Sequence, residues 1–415
     1  MVSRSARKGA YFNLPEARLR RILIAGTGRD TIETHLGRDL YAELRRLVLA
    51  AANRPRRRGQ PVYLLHGIMG SRLGTHRDAT VWVDPQTLAA GRLTDLALPR
   101  GRRVRAFGAQ TFMYLRLKLE LELAGFDVRV HAYDWRRDVL TLGRELMERL
   151  RKESARPVSI VAHSMGGLVA RAAMRTAGEG RIERLIMLGT PNFGSFAAVL
   201  ALRGAYPPVH KIALLDHEHD PDAHAQRVFA TFPGLYQMLP DPSRLDGLDL
   251  RRAAAWPRLG PRLSKALLRK SAAYRDRLAP VDHRSALIVG VAQPTVSAMR
   301  RTQGEFLFEV TSNGDGTVPA ALAQLPGAQT YYVAEGHTEL PSNGRVIATV
   351  VDVLQRGEST RLPSRWRPSR AAARILHENQ LRSTDDLAHD WDALDATTQR
   401  QLLEGIVFPG RTADL

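Results

Sequence analysis

The chain has 415 residues, 44% of them hydrophobic, no cysteine, and a formal net charge of +19 from 61 Lys+Arg against 42 Asp+Glu. Without cysteine it has neither a disulfide framework nor a thiol nucleophile. Its length allows one large α/β domain with a cap and extensions.

Met1 to Leu14 is basic but lacks the apolar core of a secretion signal. No run is apolar for long enough to span a bilayer. The expected location is cytoplasmic, with peripheral membrane attachment as the second reading. Residues 1–60 read as a basic extension carrying one helix, Thr31 to Ala52, amphipathic through Leu36, Leu40, Leu44 and Leu47. Arg54 to Gln60 reads as a linker.

At Pro61 an apolar strand begins and ends in His66-Gly67, followed by Ile68-Met69-Gly70. Gly67 lets the backbone come close to a reacting carbonyl, and the amide of Ile68 is a candidate oxyanion donor. Val128 to Ala132 is the next strand, followed by Tyr133-Asp134-Trp135-Arg136. Asp134 and Arg136 are expected to pair and to hold Trp135 beneath a substrate channel, a structural role favoured over direct catalysis. Met69, Tyr133 and Trp135 are the expected substrate-binding residues.

Val158 to Val161 is a β-branched run that stops at Ala162-His163-Ser164-Met165-Gly166-Gly167, where a helix starts at once. So sharp a turn strains the residue at its apex and lifts the Ser164 hydroxyl clear of the sheet. It also aims the Met165 amide at a developing oxyanion. An alcohol nucleophile needs a base, and the base needs an orienting carboxylate. Both occur downstream in the order that this kind of sheet requires. The strand Phe306 to Val310 leads into Gly314-Asp315-Gly316-Thr317-Val318-Pro319, and Gln329 to Val333 leads into Glu335-Gly336-His337. The helix Asn343 to Leu354 follows. Ser164, Asp315 and His337 are the expected triad. His66, His163 and His283 are weaker bases, since His163 should point away from Ser164 and His283 precedes a strand.

Four segments resemble the α/β-hydrolase superfamily, and within it the lipase and lecithin:cholesterol acyltransferase-like branch. They are Leu64 to Ser71, with His66 where many members have Pro, Tyr133 to Arg136, Ala162 to Gly167, and Gly314 to Pro319. Leu188 to Ser195 and Phe232 to Pro240 support the match. The resemblance covers roughly Pro61 to Leu354. It implies an α/β-hydrolase fold, a mostly parallel sheet with helices on both faces and a helical cap or lid insertion. It also implies a serine hydrolase of carboxylic esters, lipid esters foremost, or an acyltransferase that moves an acyl group from a phospholipid to an alcohol. A catalytically silent, membrane-associating scaffold is the alternative from another class. Under this reading the core occupies 61–195 and 283–356, the cap 196–282, and a polar helical tail 357–415. No cofactor is called for.

Within the cap, Asp216 to His224 is dense in Asp and His. Some lipases of the superfamily carry structural zinc, but a cysteine-free loop of this kind is ordinarily solvated, and no metal is expected. Apolar clusters at Val199 to Leu202, Ile212 to Leu215 and Phe229 to Leu239 fit either acyl-channel walls or plain helix cores. Basic runs at Arg54 to Arg58, Arg100 to Arg103 and Arg361 to Arg370 fit solvated arginine faces first and an anionic membrane surface second. Nucleic acid is disfavoured as a partner because no nucleic-acid motif accompanies the charge. The expected partner is a lipid or small ester substrate.

Overall fold

The computed structural model describes residues 13–54, 59–76, 79–99, 103–176, 180–382 and 390–407. Most of Met1 to Leu14, Arg56 to Arg58 and Arg100 to Arg102 lie outside them. Twelve strands are present among the described residues: β1 (Pro61–Leu65), β2 (Ser71–His76), β3 (Ala79–Trp82), β4 (Arg105–Ala109), β5 (Asp127–His131), β6 (Val158–His163), β7 (Ile182–Leu188), β8 (Ser285–Val291), β9 (Gln293–Arg301), β10 (Phe306–Gly314), β11 (Gln329–Ala334) and β12 (Arg374–His377).

Six of them form a parallel sheet in the order β11-β8-β7-β6-β1-β5. Its inner strands β1, β6, β7 and β8 are buried almost throughout, so they read as apolar runs, while the edge strands β5 and β11 alternate. Val62, Leu64, Val161, Ile186 and Ile288 point to one side, against the helices Thr111–Leu123 and Gly344–Arg356. Tyr63, Leu65, Ile160, Leu185 and Leu287 point to the other, against Val139–Glu153 and Met165–Thr176. This is the α/β-hydrolase fold, with helices on both faces of the sheet as expected. Asn343 caps Gly344–Arg356 through the amides of Arg345 and Val346, and Gly357 ends it at φ 89°.

Two small antiparallel sheets flank the main one, β3-β2-β4 and β12-β10-β9. The strand before Asp315 is therefore β10 of a side sheet and not a strand of the parallel sheet. The chain leaves β8 through Ala292, at φ 65°, and makes the β9–β10 hairpin before it returns to β11. The stretch between β7 and β8 holds short helices, four of which begin with proline at the first helical position (Pro207, Pro221, Pro233, Pro242).

Two expectations about the extensions need correction. The helix expected over Thr31 to Ala52 is two helices, Arg29–Leu36 and Arg38–Ala52, because Gly37 stands between them at φ 80°. Glu16–Ala25 precedes them, so the described extension has three helices where one was expected. Leu19, Leu23, Leu44 and Leu47 bury against Leu115 and Leu119 of Thr111–Leu123. The tail is likewise no polar appendage. β12 pairs with β10, and Glu378, fully buried, meets the Arg203 guanidinium at 2.5 Å. Leu403, Ile406 and Val407 of the last helix, Ala396–Val407, are buried as well.

No described helix is long and apolar enough to cross a membrane.

Candidate active site

Ser164 stands between β6 and the helix Met165–Thr176 with φ 54°, a strained value for a residue with a side chain. Its amide donates to Leu188 O (2.8 Å) and its carbonyl accepts from the Gly167 amide (3.0 Å), which fixes the turn. The neighbours leave little space. A Cβ on Gly166 would lie 2.6 Å from His66 O, and one on Gly67 would lie 2.8 Å from Ser164 Cβ. Ala162, in the place of the usual first glycine, is buried in the strand without displacing the bend.

The Ser164 hydroxyl donates to His337 Nε2 at 2.9 Å. His337 Nδ1 donates to Asp315 Oδ2 at 2.7 Å. The second carboxylate oxygen of Asp315 accepts from the amides of Thr317 (3.0 Å) and Val318 (2.7 Å), and the His337 amide donates to Asp315 O (2.8 Å). Gly189, at φ 56°, and Gly290 open the space for this pair. A Cβ on Gly189 would come within 3.0 Å of both Asp315 Oδ2 and His337 Nδ1, and one on Gly290 within 2.6 Å of Asp315 Cβ. The three side chains are nearly inaccessible to solvent, at 5%, 5% and 2% exposure for Ser164, His337 and Asp315.

The loop after β1 is held rigidly against Ser164. Met69 takes φ 62°, its carbonyl accepts from Trp82 Nε1 (2.9 Å), and Gly70 N donates to Gly67 O (3.2 Å). Among the described residues, no protein acceptor takes the amide of Ile68 or that of Met165. His66 does not face Ser164. Its Nδ1 donates to Gly67 O (2.7 Å), its Nε2 accepts from the Tyr133 amide (3.1 Å), and its ring stacks on Tyr133 at 4.0 Å. Complete burial pushes it down to about 4, so it is neutral at pH 7.

A second buried histidine lies behind the row. Tyr114 Oη accepts from the Gly67 amide (3.1 Å) and donates to His163 Nδ1 (2.9 Å), while His163 Nε2 donates to His337 O (2.9 Å). Both partners are satisfied only by a neutral imidazole protonated on Nε2. Burial, and after it the nearness of His337, hold His163 well below the ordinary histidine range. His163 thus points away from the Ser164 hydroxyl, as its place on the strand implies, yet it contacts His337 directly. Tyr114, on a helix fifty residues upstream, carries no motif that could have marked it.

A narrow cavity of about 80 Å3 reaches Ser164 and His337. Its walls are mostly apolar and include Met69, Phe229, Leu235, Met238 and Val407. Met69 is one of the lining residues, and the Phe229–Leu239 cluster supplies wall as well as core. Tyr133 and Trp135 do not line the cavity, which corrects their assignment as substrate contacts. Tyr133 donates from its hydroxyl to His66 O (2.5 Å), and Trp135 donates from Nε1 to Ser71 O (3.1 Å) and packs edge-on against Phe232 and Trp82. Asp134 and Arg136 form the expected ion pair (2.7 Å), with Arg136 also donating to Leu96 O and Val104 O. The segment braces the loop after β1 from behind because its aromatics bury completely and its polar tips find backbone acceptors there.

In the cap, Asp216 is taken up by local bonds. It accepts from the Glu218 and His219 amides and meets His219 Nδ1 (3.1 Å) and His224 Nε2 (3.2 Å). No group of three potential ligands converges on a metal position among the described residues.

The family model for lecithin:cholesterol acyltransferase matches residues 123–370, more than half of the chain. No curated protein matches the sequence. Among solved structures, the Tle4–Tli4 complex is similar at TM-score 0.49 and 15% identity, covering 72% of this chain and 99% of that one. The mature lipase BlEst2 of Bacillus licheniformis is similar at TM-score 0.40 and 15% identity, over 74% and 95%. Lipase B of Aspergillus fumigatus is similar at TM-score 0.35 and 13% identity, over 84% and 61%.

Proposed function

The chain belongs to the lecithin:cholesterol acyltransferase family, and from that premise we propose a serine esterase of lipid carboxylic esters with Ser164 as nucleophile, His337 as general base and Asp315 as orienting carboxylate. The observation that carries this reading is the continuous row Ser164 Oγ–His337 Nε2 (2.9 Å) and His337 Nδ1–Asp315 Oδ2 (2.7 Å), with Ser164 and His337 lining an apolar cavity. The family premise already makes the chain an ester hydrolase or acyltransferase.

In the first half-reaction His337 Nε2 accepts the Ser164 proton as Oγ adds to the ester carbonyl. The oxyanion is received by the amides of Ile68 and Met165, which compete with no protein acceptor for their hydrogens. Collapse breaks the bond to the alcohol oxygen, and the imidazolium returns its proton to that oxygen. The acyl group stays on Ser164. Water, activated by the same imidazole, then attacks the acyl carbonyl and releases the acid. Asp315 orients the imidazole and stabilises the imidazolium. Met69 contacts the hydrocarbon arm, while Tyr133 and Trp135 act by positioning the oxyanion loop.

Transfer to an alcohol is the second reading. The near-complete burial of Ser164 and His337 in an apolar cavity favours it, since exclusion of water leaves an apolar alcohol a better competitor for the acyl-enzyme. A non-catalytic scaffold has no use for the strained φ of Ser164 or for the pocket glycines around it.

The test is Ser164→Ala assayed on p-nitrophenyl esters, triacylglycerol and phospholipid, with and without a long-chain alcohol. Loss of turnover on every donor is expected, with wild-type products divided between free acid and new ester according to the acceptor. Turnover retained by Ser164→Ala would overturn the assignment.

A further inference from the structure

We propose that the C-terminal helix Ala396–Val407 forms a wall of the acyl pocket and that Val407 sets the acyl-chain length this enzyme prefers, an inference that rests on the serine-esterase reading above. Val407 is 4% exposed and lines the same cavity as Ser164 and His337, although it stands more than two hundred residues beyond either the nucleophile or the elements that build its turn. The family match ends at residue 370, so this wall comes from a part of the chain that the family pattern does not describe.

The helix is held in place by packing on the cap. Leu403 and Ile406 are buried beside Val407. Gly405 lies so close to Lys211 that a Cβ there would approach the lysine Cδ at 2.6 Å. Lys211 belongs to Pro207–Ala213, whose Val209 lines the cavity as well. Upstream, the segment is tied to the body of the protein by β12, by the buried Arg203–Glu378 pair and by the Arg382–Asp222 pair.

A β-branched side chain has few rotamers and yields little to a ligand. Ala197, Ala198 and Ala201 of Phe196–Leu202 line the same cavity, and their small side chains leave space that an alkyl chain would fill. In a cavity of about 80 Å3, one side chain decides how many methylenes are admitted. The acyl group is the part of the ester that stays bound to Ser164 between the two half-reactions, so it is the part with most need of a fixed wall.

The experiment compares wild type, Val407→Ala and Val407→Trp on p-nitrophenyl butyrate and p-nitrophenyl laurate, after thermal melting has shown each variant folded and a fluorophosphonate has labelled Ser164. The expected result is a laurate-to-butyrate ratio of kcat/KM that falls about tenfold or more in Val407→Trp and rises severalfold in Val407→Ala. The change should be carried mainly by KM. Two labelled, folded variants with the wild-type ratio would overturn the proposal while leaving the serine-esterase reading standing. Absence of labelling at Ser164 in wild type would overturn that reading and, with it, this one.

Discussion

His163 Nε2 donates to the backbone carbonyl of His337 at 2.9 Å, with the two rings 4.8 Å apart, so the residue beside the proposed nucleophile holds the proposed general base. The bond continues through Tyr114 to the amide of Gly67, so the loop after β1 and the loop that carries His337 share one buried chain of donors and acceptors. Every member is neutral and satisfied, which is the condition under which such a network stiffens a site rather than weakening it.

Replacing His163 by Ala removes the donor that fixes the His337 carbonyl. The expected effect is a fall in kcat of about 10- to 100-fold on p-nitrophenyl butyrate, because small displacements of a base are costly. KM should change less than kcat, since the bond that is lost is to the backbone that carries His337. His163→Gln, which can still donate there, should recover part of kcat. Steady-state kinetics decide the matter, and an unchanged kcat in His163→Ala would deny the positioning role.

Gly67→Ala puts a methyl group 2.8 Å from Ser164 Cβ, closer than packed carbon atoms tolerate. Either the loop or the elbow must shift, and the Ile68 amide moves with it. A loss of about 100-fold or more in kcat/KM is expected, comparable to removing one oxyanion donor. Wild-type kcat/KM in this variant would show that the loop is not part of the machinery.

Stability should fall on mild acidification. Burial depresses His66 to about 4 and His131 to about 3, so both are neutral in the folded protein. Near pH 6.5 and below, the unfolded chain takes up protons at these positions that the native protein does not. Stability is therefore complete above about pH 6.5 and decreases as pH falls towards 4, with His66 alone contributing on the order of 3 kcal/mol to the loss. Urea unfolding at pH 7.5, 5.5 and 4.5 measures this, and a flat profile contradicts it.

Glu378→Gln leaves the Arg203 guanidinium buried without its counter-charge, and Glu378 Oε2 also accepts from the Phe306 amide (2.9 Å). A destabilisation of about 3 kcal/mol or more is expected, the usual consequence of breaking a buried pair on one side. The joint replacement Arg203→Met with Glu378→Leu should restore much of it. Chemical denaturation checks both variants, and a change below about 0.5 kcal/mol in Glu378→Gln, the range of an ordinary surface substitution, would mean the pair does not anchor the tail.

What could be read from the sequence was what local chemistry dictates. The turn at Ser164 announces itself through small residues between a β-branched strand and a helix. Asp315 and His337 follow strands in short loops, and they do lie within hydrogen-bonding reach of each other and of Ser164. What the sequence hid depends on tertiary partners. A strand pattern at Phe306 does not reveal that β10 belongs to a side sheet. Tyr133 and Trp135 look like ligand contacts because aromatics serve both purposes, and only packing shows them braced behind the loop after β1. Gly37 inside an amphipathic pattern is tolerated by periodicity but not by the backbone, which turns there. Nothing near Tyr114 or Val407 in the sequence distinguishes them from other core residues, since their roles come from where distant segments meet.

The central claim is that Ser164 is the activated nucleophile. Incubation of the intact chain with a fluorophosphonate, followed by peptide mass spectrometry, addresses it most directly. A single adduct on the peptide containing Ser164 is predicted, formed in step with loss of esterase activity and slowed by orders of magnitude in His337→Ala. Esterase activity that survives with Ser164 fully modified, or an adduct confined to another residue, would contradict it.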